Sequence, residues 1–200
     1  MIEKSLTNKA LELLRRKMRR MKYGTGLIFL VSFLFLSNPL PAKQWLIFYA
    51  KEGFFNGVIR QSFGHLFIGL VQEDPDEPKN LLAGFWGYYP KDGIKPEGWW
   101  GYMDGSIRND FAADYQHSFA IEIAPRDFDY CLQQVKEWNH KPYSLRMRNC
   151  ISFVRTLIKN IPGIAAPKGF YILPSAFIRD LQDMNRSIAY KGHFEHYNSL

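Results

Sequence analysis

The sequence SFGHLFIGLV, residues Ser62–Val71, is rich in aromatic and β-branched side chains and predicts a buried β-strand. Three further segments share this composition: Gln44–Tyr49 (QWLIFY), Leu81–Tyr89 and Ser118–Ile123 (SFAIEI). Strands of this kind bury at least one face against another layer of the protein. The four segments therefore predict that a β-sheet forms the centre of the fold.

Apolar side chains at helical spacing follow the predicted strands. They predict a helix between Pro125 and Pro142, a second helix over Cys150–Ile161, and a short third helix that starts at Pro174. Strands followed by helices predict an α+β fold, in which an antiparallel sheet packs against the helices. Between the third and fourth strands, Pro90–Gln116 is rich in glycine and aromatic residues and predicts a long loop, either a binding loop or a self-packed surface loop.

The formal net charge of +7 is concentrated at the N-terminus. Residues 1–22 contain eight Lys or Arg and two Glu, whereas the remainder contains 18 basic and 17 acidic residues. Binding to a nucleic-acid backbone requires many cations presented together. The nearly neutral remainder therefore excludes a basic nucleic-acid-binding body.

An apolar stretch follows the basic flank, with TGLIFLVSFLFL (Thr25–Leu36) as its centre. This layout is typical of a secretory signal peptide, although an uncleaved inner-membrane anchor formed by residues 24–38 stays open. Residues 2–21 form either the start of that signal or a basic amphipathic helix on an anionic membrane. We expect an exported protein of the periplasm or cell envelope; a cytosolic protein with a very apolar first strand is the alternative.

The chain therefore divides into three predicted regions. Residues 1–42 are a basic flank followed by a hydrophobic signal or anchor helix, residues 43–184 are a single α+β domain, and residues 185–200 are a polar C-terminal tail. The domain contains no internal repeat and no low-complexity linker.

The two cysteines occur in different contexts. Cys131 lies within an apolar helical stripe, where a thiol usually behaves as a small buried hydrophobe. Cys150 begins a helix after Arg146-Met147-Arg148-Asn149, and the helix dipole together with the two arginines favours a thiolate there. Cys150 is therefore the candidate nucleophile. A second buried thiol, or a Cys131–Cys150 disulfide in an oxidising compartment, is the alternative.

A cysteine nucleophile needs a base close to it. His65 lies in an otherwise apolar strand, and Gly64 before it permits close approach of another backbone. We expect His65 to act as the base where the helix that begins at Cys150 packs against the sheet. A hydrogen-bonded structural histidine is the alternative.

The remaining histidines are interpreted as surface residues. They are His117, His140, His193 and His196. The last two flank Glu195 but have no matching ligand pair elsewhere in the chain, so no metal site is expected. The sequence also lacks a phosphate-binding loop, a dinucleotide fingerprint and a Gly-x-Ser-x-Gly motif, and no cofactor is expected.

Three motifs occur in a fixed order along the domain: Gly64-His65, Gly84–Pro90 (GFWGYYP) and Asn149–Val154 (NCISFV). In this order and spacing the chain resembles the circularly permuted NlpC-type papain-like proteins, a superfamily that includes the lecithin-retinol acyltransferase-like proteins. In those proteins the histidine strand precedes the nucleophile, and an Asn-Cys pair starts the helix. The resemblance extends over about Trp45–Leu181, and the Asn-Cys pair is its most specific element.

The resemblance implies a thiol hydrolase or acyltransferase. Cys150 would attack the carbonyl carbon of an amide or ester to form a thioester, and His65 would take the thiol proton and pass it to the leaving group. Water as the acceptor gives amidase, peptidase or lipid hydrolase activity, and a second substrate gives acyl transfer. The expected partners are an acyl or peptide substrate and, through the N-terminal segment, a membrane.

Proteins of this superfamily carry a third polar residue on the strand after the histidine strand, which orients the imidazole. The matching segment here, Leu81–Tyr89, offers chiefly Trp86, Tyr88 and Tyr89. The hydroxyl of Tyr88, or the carboxylate of Asp110 from the following loop, is the candidate for this role. Trp86 and Tyr88 are the candidates for substrate binding.

A second interpretation is a catalytically inactive envelope module. It would bind a glycan, peptide or lipid through an aromatic surface made of Trp86, Trp99, Trp100 and Tyr102. Aromatic residues at this density also pack against one another, which explains them without any ligand.

Overall fold

β-Strands form the centre of the structure, a computed structural model that describes residues 42–53, 64–73, 81–94, 101–110 and 113–190. The strands are β1 (Gln44–Lys51), β2 (His65–Glu73), β3 (Leu81–Pro90), β4 (Met103–Asn109), β5 (His117–Ile123), β6 (Pro142–Tyr143) and β7 (Ala189–Tyr190). They form one antiparallel sheet in the order β6-β4-β3-β2-β1-β5-β7. The described residues lie within one compact unit, Ala42–Leu200.

Within the described ranges, three helices cover one face of this sheet. They are α1 (Pro125–Trp138), α2 (Cys150–Lys159) and α3 (Pro174–Met184). Proline occupies the first turn of α1 and of α3, where its missing N–H has no intrahelical acceptor to lose. Helix α2 lies over β2 and β3, and α3 lies over β1 and β5. The helices and this face of the sheet share one large buried core.

The opposite face of the central strands is buried too. Because successive side chains of a strand point to opposite faces, the alternate residues of β1, β2, β3 and β5 form a second cluster, here called the aromatic-face cluster. Its members are Trp45, Ile47, Tyr49, Phe67, Val71, Phe85 and Ala120, with Ala113 and Tyr115 packed against them. The ring of Tyr49 stacks on that of Phe67 at 4.9 Å.

The observed elements confirm the predicted α+β fold with an antiparallel sheet packed on helices. All four predicted strands are present, and the three predicted helices begin at or next to the expected residues. The prediction of a continuous loop over Pro90–Gln116 is wrong, because this segment contains β4, which pairs with β3. Strand β4 is polar and only partly buried, so its composition carries no clear alternation of apolar and polar residues.

The predicted polar tail, residues 185–200, begins with ordered structure. Asn185 is buried, with 2% of its surface exposed. Its side chain accepts a hydrogen bond from the Ala165 N–H (2.8 Å) and donates to the carbonyls of Ala165 (2.9 Å) and Leu181 (2.7 Å). Strand β7 then pairs with β5. Asn185 therefore links the end of α3 to the segment that follows α2.

Residues 1–41 lie outside the described residues, and the predicted hydrophobic helix at 24–38 stays a prediction. Within the described ranges, none of the helices combines the length and the apolar character needed to cross a bilayer.

Replacing Asn185 should destabilise the fold. Asn185→Ala removes three hydrogen bonds, including the buried one to the Leu181 carbonyl, at a cost of about 2 to 3 kcal/mol in the free energy of unfolding. Urea unfolding measures this loss. Asn160→Ala is the control: Asn160 is exposed and, among the described residues, its side chain donates to the Tyr130 hydroxyl, so a change within about 0.5 kcal/mol is expected. Equal losses in the two variants would contradict a linking role for Asn185.

Candidate active site

Cys150 is held by a tight turn on one side and by helix α2 on the other. Ser144 and Arg148 exchange two backbone hydrogen bonds of 2.8 and 2.9 Å, which close the turn just before Asn149. Cys150 is the first residue of α2, and 7% of its surface is exposed. The thiol is therefore fixed at the start of a helix and largely shielded from water.

The side chain of Asn149 caps this helix. Its Oδ1 accepts a hydrogen bond from the Ser152 N–H at 3.0 Å, and its Nδ2 donates to the Leu145 carbonyl at 2.7 Å. The first N–H groups of any helix have no intrahelical acceptor. In the described part of the chain, the N–H groups of Cys150 and Ile151 have no acceptor, so they can bind a substrate oxygen beside the thiol.

His65 is the first residue of β2, directly before the buried part of that strand. The preceding Gly64 has a φ of +80°, and a Cβ there would lie 2.3 Å from the Lys51 carbonyl oxygen. No other residue type fits this position without moving the backbone at the end of β1, where Lys51 lies. The predicted close approach of another backbone at Gly64 is confirmed. This approach fixes the chain directly before β2, and so it fixes the position of His65, the first residue of β2.

The structure places Cys150 beside His65, close enough for the Cys150 side chain to raise the pKa of the imidazole. The His65 side chain is 16% exposed. Burial alone would lower the pKa of His65, but the Asp110 carboxylate and Cys150 beside the imidazole outweigh burial and raise the pKa to about 9. At neutral pH the imidazole is therefore protonated on both ring nitrogens and carries a positive charge.

Asp110 lies on the other side of the imidazole. Its Oδ2 is 3.6 Å from Nε2 of His65, which is longer than a hydrogen bond but within the range of an ion pair. Both atoms are buried, and neither has a closer hydrogen-bond partner among the described residues. His65 and Asp110 therefore form a buried charge contact. Of the two candidates for the orienting residue, Asp110 occupies the position and Tyr88 does not.

Gly87 leaves the space in which His65 and Asp110 meet. A Cβ at position 87 would lie 2.0 Å from Oδ2 of Asp110 and 2.3 Å from Nε2 of His65. Real Cβ atoms do not approach other atoms so closely, and both charged groups would have to move. The glycine of the GFWGYYP motif is therefore part of the site, although it contributes no side chain.

Two tyrosines border this group of residues. The ring of Tyr89 stacks on the imidazole at 3.9 Å, and its hydroxyl donates to Oδ1 of Asp110 at 2.8 Å. Tyr143 lies in β6 just before the turn, and burial together with the charge of Cys150 raises the pKa of its hydroxyl. Both hydroxyls therefore stay protonated and can act as hydrogen-bond donors.

The other sequence candidates lie elsewhere. Tyr88 is 1% exposed, and its hydroxyl donates to the Lys141 carbonyl within the main core. Trp86 is partly buried against the same core. Tyr102 is exposed with the Arg148 guanidinium 5.4 Å from its ring centre, while Trp99 and Trp100 fall outside the described residues. A Tyr88 buried in this way cannot touch a substrate, which corrects that assignment.

Cys131 is a buried thiol of α1, and both cysteines are free in this structure. Burial, with the charge of Asp127 in addition, raises the pKa of Cys131 to about 12. The Cys131–Cys150 disulfide considered from the sequence is therefore not formed. Among the described ranges no cluster of three His, Cys, Asp or Glu is placed to bind a metal ion, and His193 and His196 lie beyond those ranges.

Sequence reasoning missed Gly87, Tyr89 and Tyr143. The signal for the first two is their alternation along β3: Gly87 and Tyr89 share one face, whereas Trp86 and Tyr88 share the other. Only the pairing of β3 with β2 shows which of these faces meets His65, since Gly87 lies directly opposite Phe67.

Comparison of the chain with protein-family models, with curated proteins and with solved structures gives no significant match.

Adding a methyl group at Gly87 should separate the charged pair. Gly87→Ala places a carbon between His65 and Asp110, so the pKa of His65 should fall from about 9 toward its ordinary value of 6.5. An NMR titration of the imidazole measures this change. Gly69→Ala is the control, because the atoms nearest to its Cβ belong to the rings of Phe85 and Tyr49 and not to the charged pair, and the His65 titration should be retained. An unchanged pKa in Gly87→Ala would rule out the spacing role of this glycine.

The charged imidazole should make the stability depend on pH. The pKa of His65 is raised in the folded state, to about 9 from 6.5, so its contribution is complete below pH 6.5 and is lost as the pH rises through about 9. We expect the free energy of unfolding of the wild type, relative to His65→Gln, to decrease across this interval. Urea unfolding at a series of pH values measures the difference, and a constant difference would show that folding does not raise the pKa of His65.

Proposed function

We propose that the protein is a cysteine-dependent hydrolase or acyltransferase that acts on an amide or ester through a thioester at Cys150. The observation that carries this proposal is the placement of Cys150, at the start of α2, beside an imidazole that also faces buried Asp110. A nucleophile, a base and an orienting group in this relation form the arrangement used for covalent acyl transfer.

The orientation of His65 assigns its two ring nitrogens. Since Nε2 faces Asp110, Nδ1 is the nitrogen left for the thiol of Cys150. Asp110 then holds the proton on Nε2 and favours the charged imidazolium that forms when Nδ1 takes the thiol proton. The raised pKa of His65 supports an ion pair between the imidazolium and Asp110 at neutral pH.

The reaction follows from these positions. The Cys150 sulfur attacks the substrate carbonyl carbon, and the resulting oxyanion is stabilised by the N–H groups of Cys150 and Ile151. The carbonyl–nitrogen or carbonyl–oxygen bond breaks, and the leaving group takes the proton from Nδ1 of His65. The acceptor, water or a second hydroxyl or amine, then loses its proton to His65 and displaces the sulfur from the thioester.

The order of these residues along the chain supports a permuted papain-like fold as the finer description of the α+β domain. The histidine strand precedes the Asn-Cys helix, and the helix lies over that strand. One departure from the superfamily pattern is the orienting residue, which comes from the end of β4 instead of the strand that follows the histidine strand. The observed domain and the superfamily pattern share a sheet packed against helices, with the nucleophile at a helix N-terminus.

The export and membrane assignments belong to the same proposal. They rest on the basic flank and on the apolar stretch at residues 24–38 in the sequence. In an exported protein tethered by this segment, the domain would meet substrates of the cell envelope, either peptides or lipids with an acyl bond.

The two cysteines should differ sharply in reactivity. Iodoacetamide at neutral pH should label Cys150, which lies beside the imidazole, and spare Cys131, whose pKa is raised to about 12. Incubation with a p-nitrophenyl ester should give an acyl adduct by intact mass spectrometry, and hydroxylamine should remove it as expected for a thioester.

Cys150→Ala should form no adduct, and its turnover rate should fall by about a hundredfold or more. Cys131→Ala should keep the adduct and the wild-type turnover rate. Cys131→Ala is the matched control, because it removes the buried thiol of α1, which is not part of the candidate active site. No adduct on the wild type and labelling of Cys150 at the rate of a free thiol would contradict the enzyme and favour the inactive binding module.

A further inference from the structure

Tyr89 contacts both members of the His65–Asp110 pair. Its ring stacks on the imidazole at 3.9 Å with an interplanar angle of 26°. Its hydroxyl donates to Oδ1 of Asp110 at 2.8 Å, which is the carboxylate oxygen not directed at His65. The Tyr89 side chain thus contacts two charged groups, His65 at the start of β2 and Asp110 directly after β4.

Tyr89 is itself held in place by Arg108. The guanidinium carbon lies 5.2 Å from the centre of the Tyr89 ring, close enough for a cation–π contact. The Arg108 guanidinium also donates to the carbonyls of Pro90 (3.1 Å) and Lys91 (2.7 Å), so its position over the ring is fixed. Burial first, and then the hydrogen bond to Asp110, raise the pKa of Tyr89, so the hydroxyl remains a donor at neutral and alkaline pH.

We propose that Tyr89 is a positioning residue of the candidate active site, which holds Asp110 through its hydroxyl and His65 through its ring. A carboxylate can rotate about its terminal bond, and the bond to Oδ1 leaves Oδ2 facing Nε2 of His65. The imidazole can also rotate, and the stacked ring keeps its plane in the orientation that directs Nδ1 to Cys150. This role rests on the proposed function of Cys150 and His65.

The neighbouring tyrosine shows what a purely structural role looks like in this chain. Tyr88 is buried, and its hydroxyl donates to the backbone carbonyl of Lys141 at 2.7 Å. It packs against the rings of Trp138, Tyr143 and Phe153. Both tyrosines therefore use their hydroxyl groups, but only Tyr89 donates to an ionised side chain at the site.

The experiment compares Tyr89→Phe with Tyr88→Phe. Each removes one hydroxyl, and Tyr89→Phe keeps the ring on the imidazole. In Tyr89→Phe the freed Asp110 should rotate away, so the pKa of His65 should fall from about 9 toward 6.5 in an NMR titration. The rate of Cys150 alkylation by iodoacetamide at neutral pH should fall about tenfold, because the imidazole is less often in its productive state.

Tyr88→Phe should lower the thermal midpoint and leave both of these readouts at their wild-type values. Tyr89→Leu removes the ring as well and should slow Cys150 alkylation further than Tyr89→Phe. A folded Tyr89→Phe variant with the wild-type His65 titration and the wild-type alkylation rate would overturn the positioning role.

Failure of the proposed function gives a different result. If the wild type itself shows an ordinary His65 titration and a Cys150 that reacts as a free thiol, the catalytic pair is absent and Tyr89 has nothing to position. If the wild type shows the raised pKa and fast alkylation but Tyr89→Phe matches it, only the role of Tyr89 is disproved.

Discussion

The central strands β1 and β2 are buried on both faces, and this double burial dictates how the remaining elements are placed. Each face needs its own apolar cover, so the three helices take one face and the aromatic-face cluster fills the other. A residue at the end of β2 is therefore excluded from water from two sides. His65 occupies that end, and helix α2 brings Cys150 to it.

Exclusion of water makes the charges at this end of the sheet interact strongly. In a low-dielectric environment an unpaired imidazolium or carboxylate is costly, whereas a pair of opposite charges is stabilised. Gly87 permits the pair by leaving room between the strands, and Tyr89 adds a neutral donor to the same carboxylate. The raised pKa of His65 is the result of this balance, since its charged partners outweigh the cost of burial.

Much of the fold and part of the site could be predicted from the sequence. Strand composition located β1, β2, β3 and β5, and apolar spacing located all three helices, because these signals are local. Strand β4 could not be predicted, since it is polar and depends on β3 for its hydrogen bonds. Asp110 follows β4, and so its place beside His65 stayed one of two alternatives until the pairing of the strands was known.

The sequence by itself determined the types of the elements and the helix start at Cys150, because each depends on residues close together in the chain. Only the tertiary structure decided that Tyr89 and Asp110 meet the imidazole while Tyr88 lies in the core. Neighbouring residues of a strand point to opposite faces, and the face that meets His65 depends on the register with β2. That register is set by packing between segments far apart in the sequence.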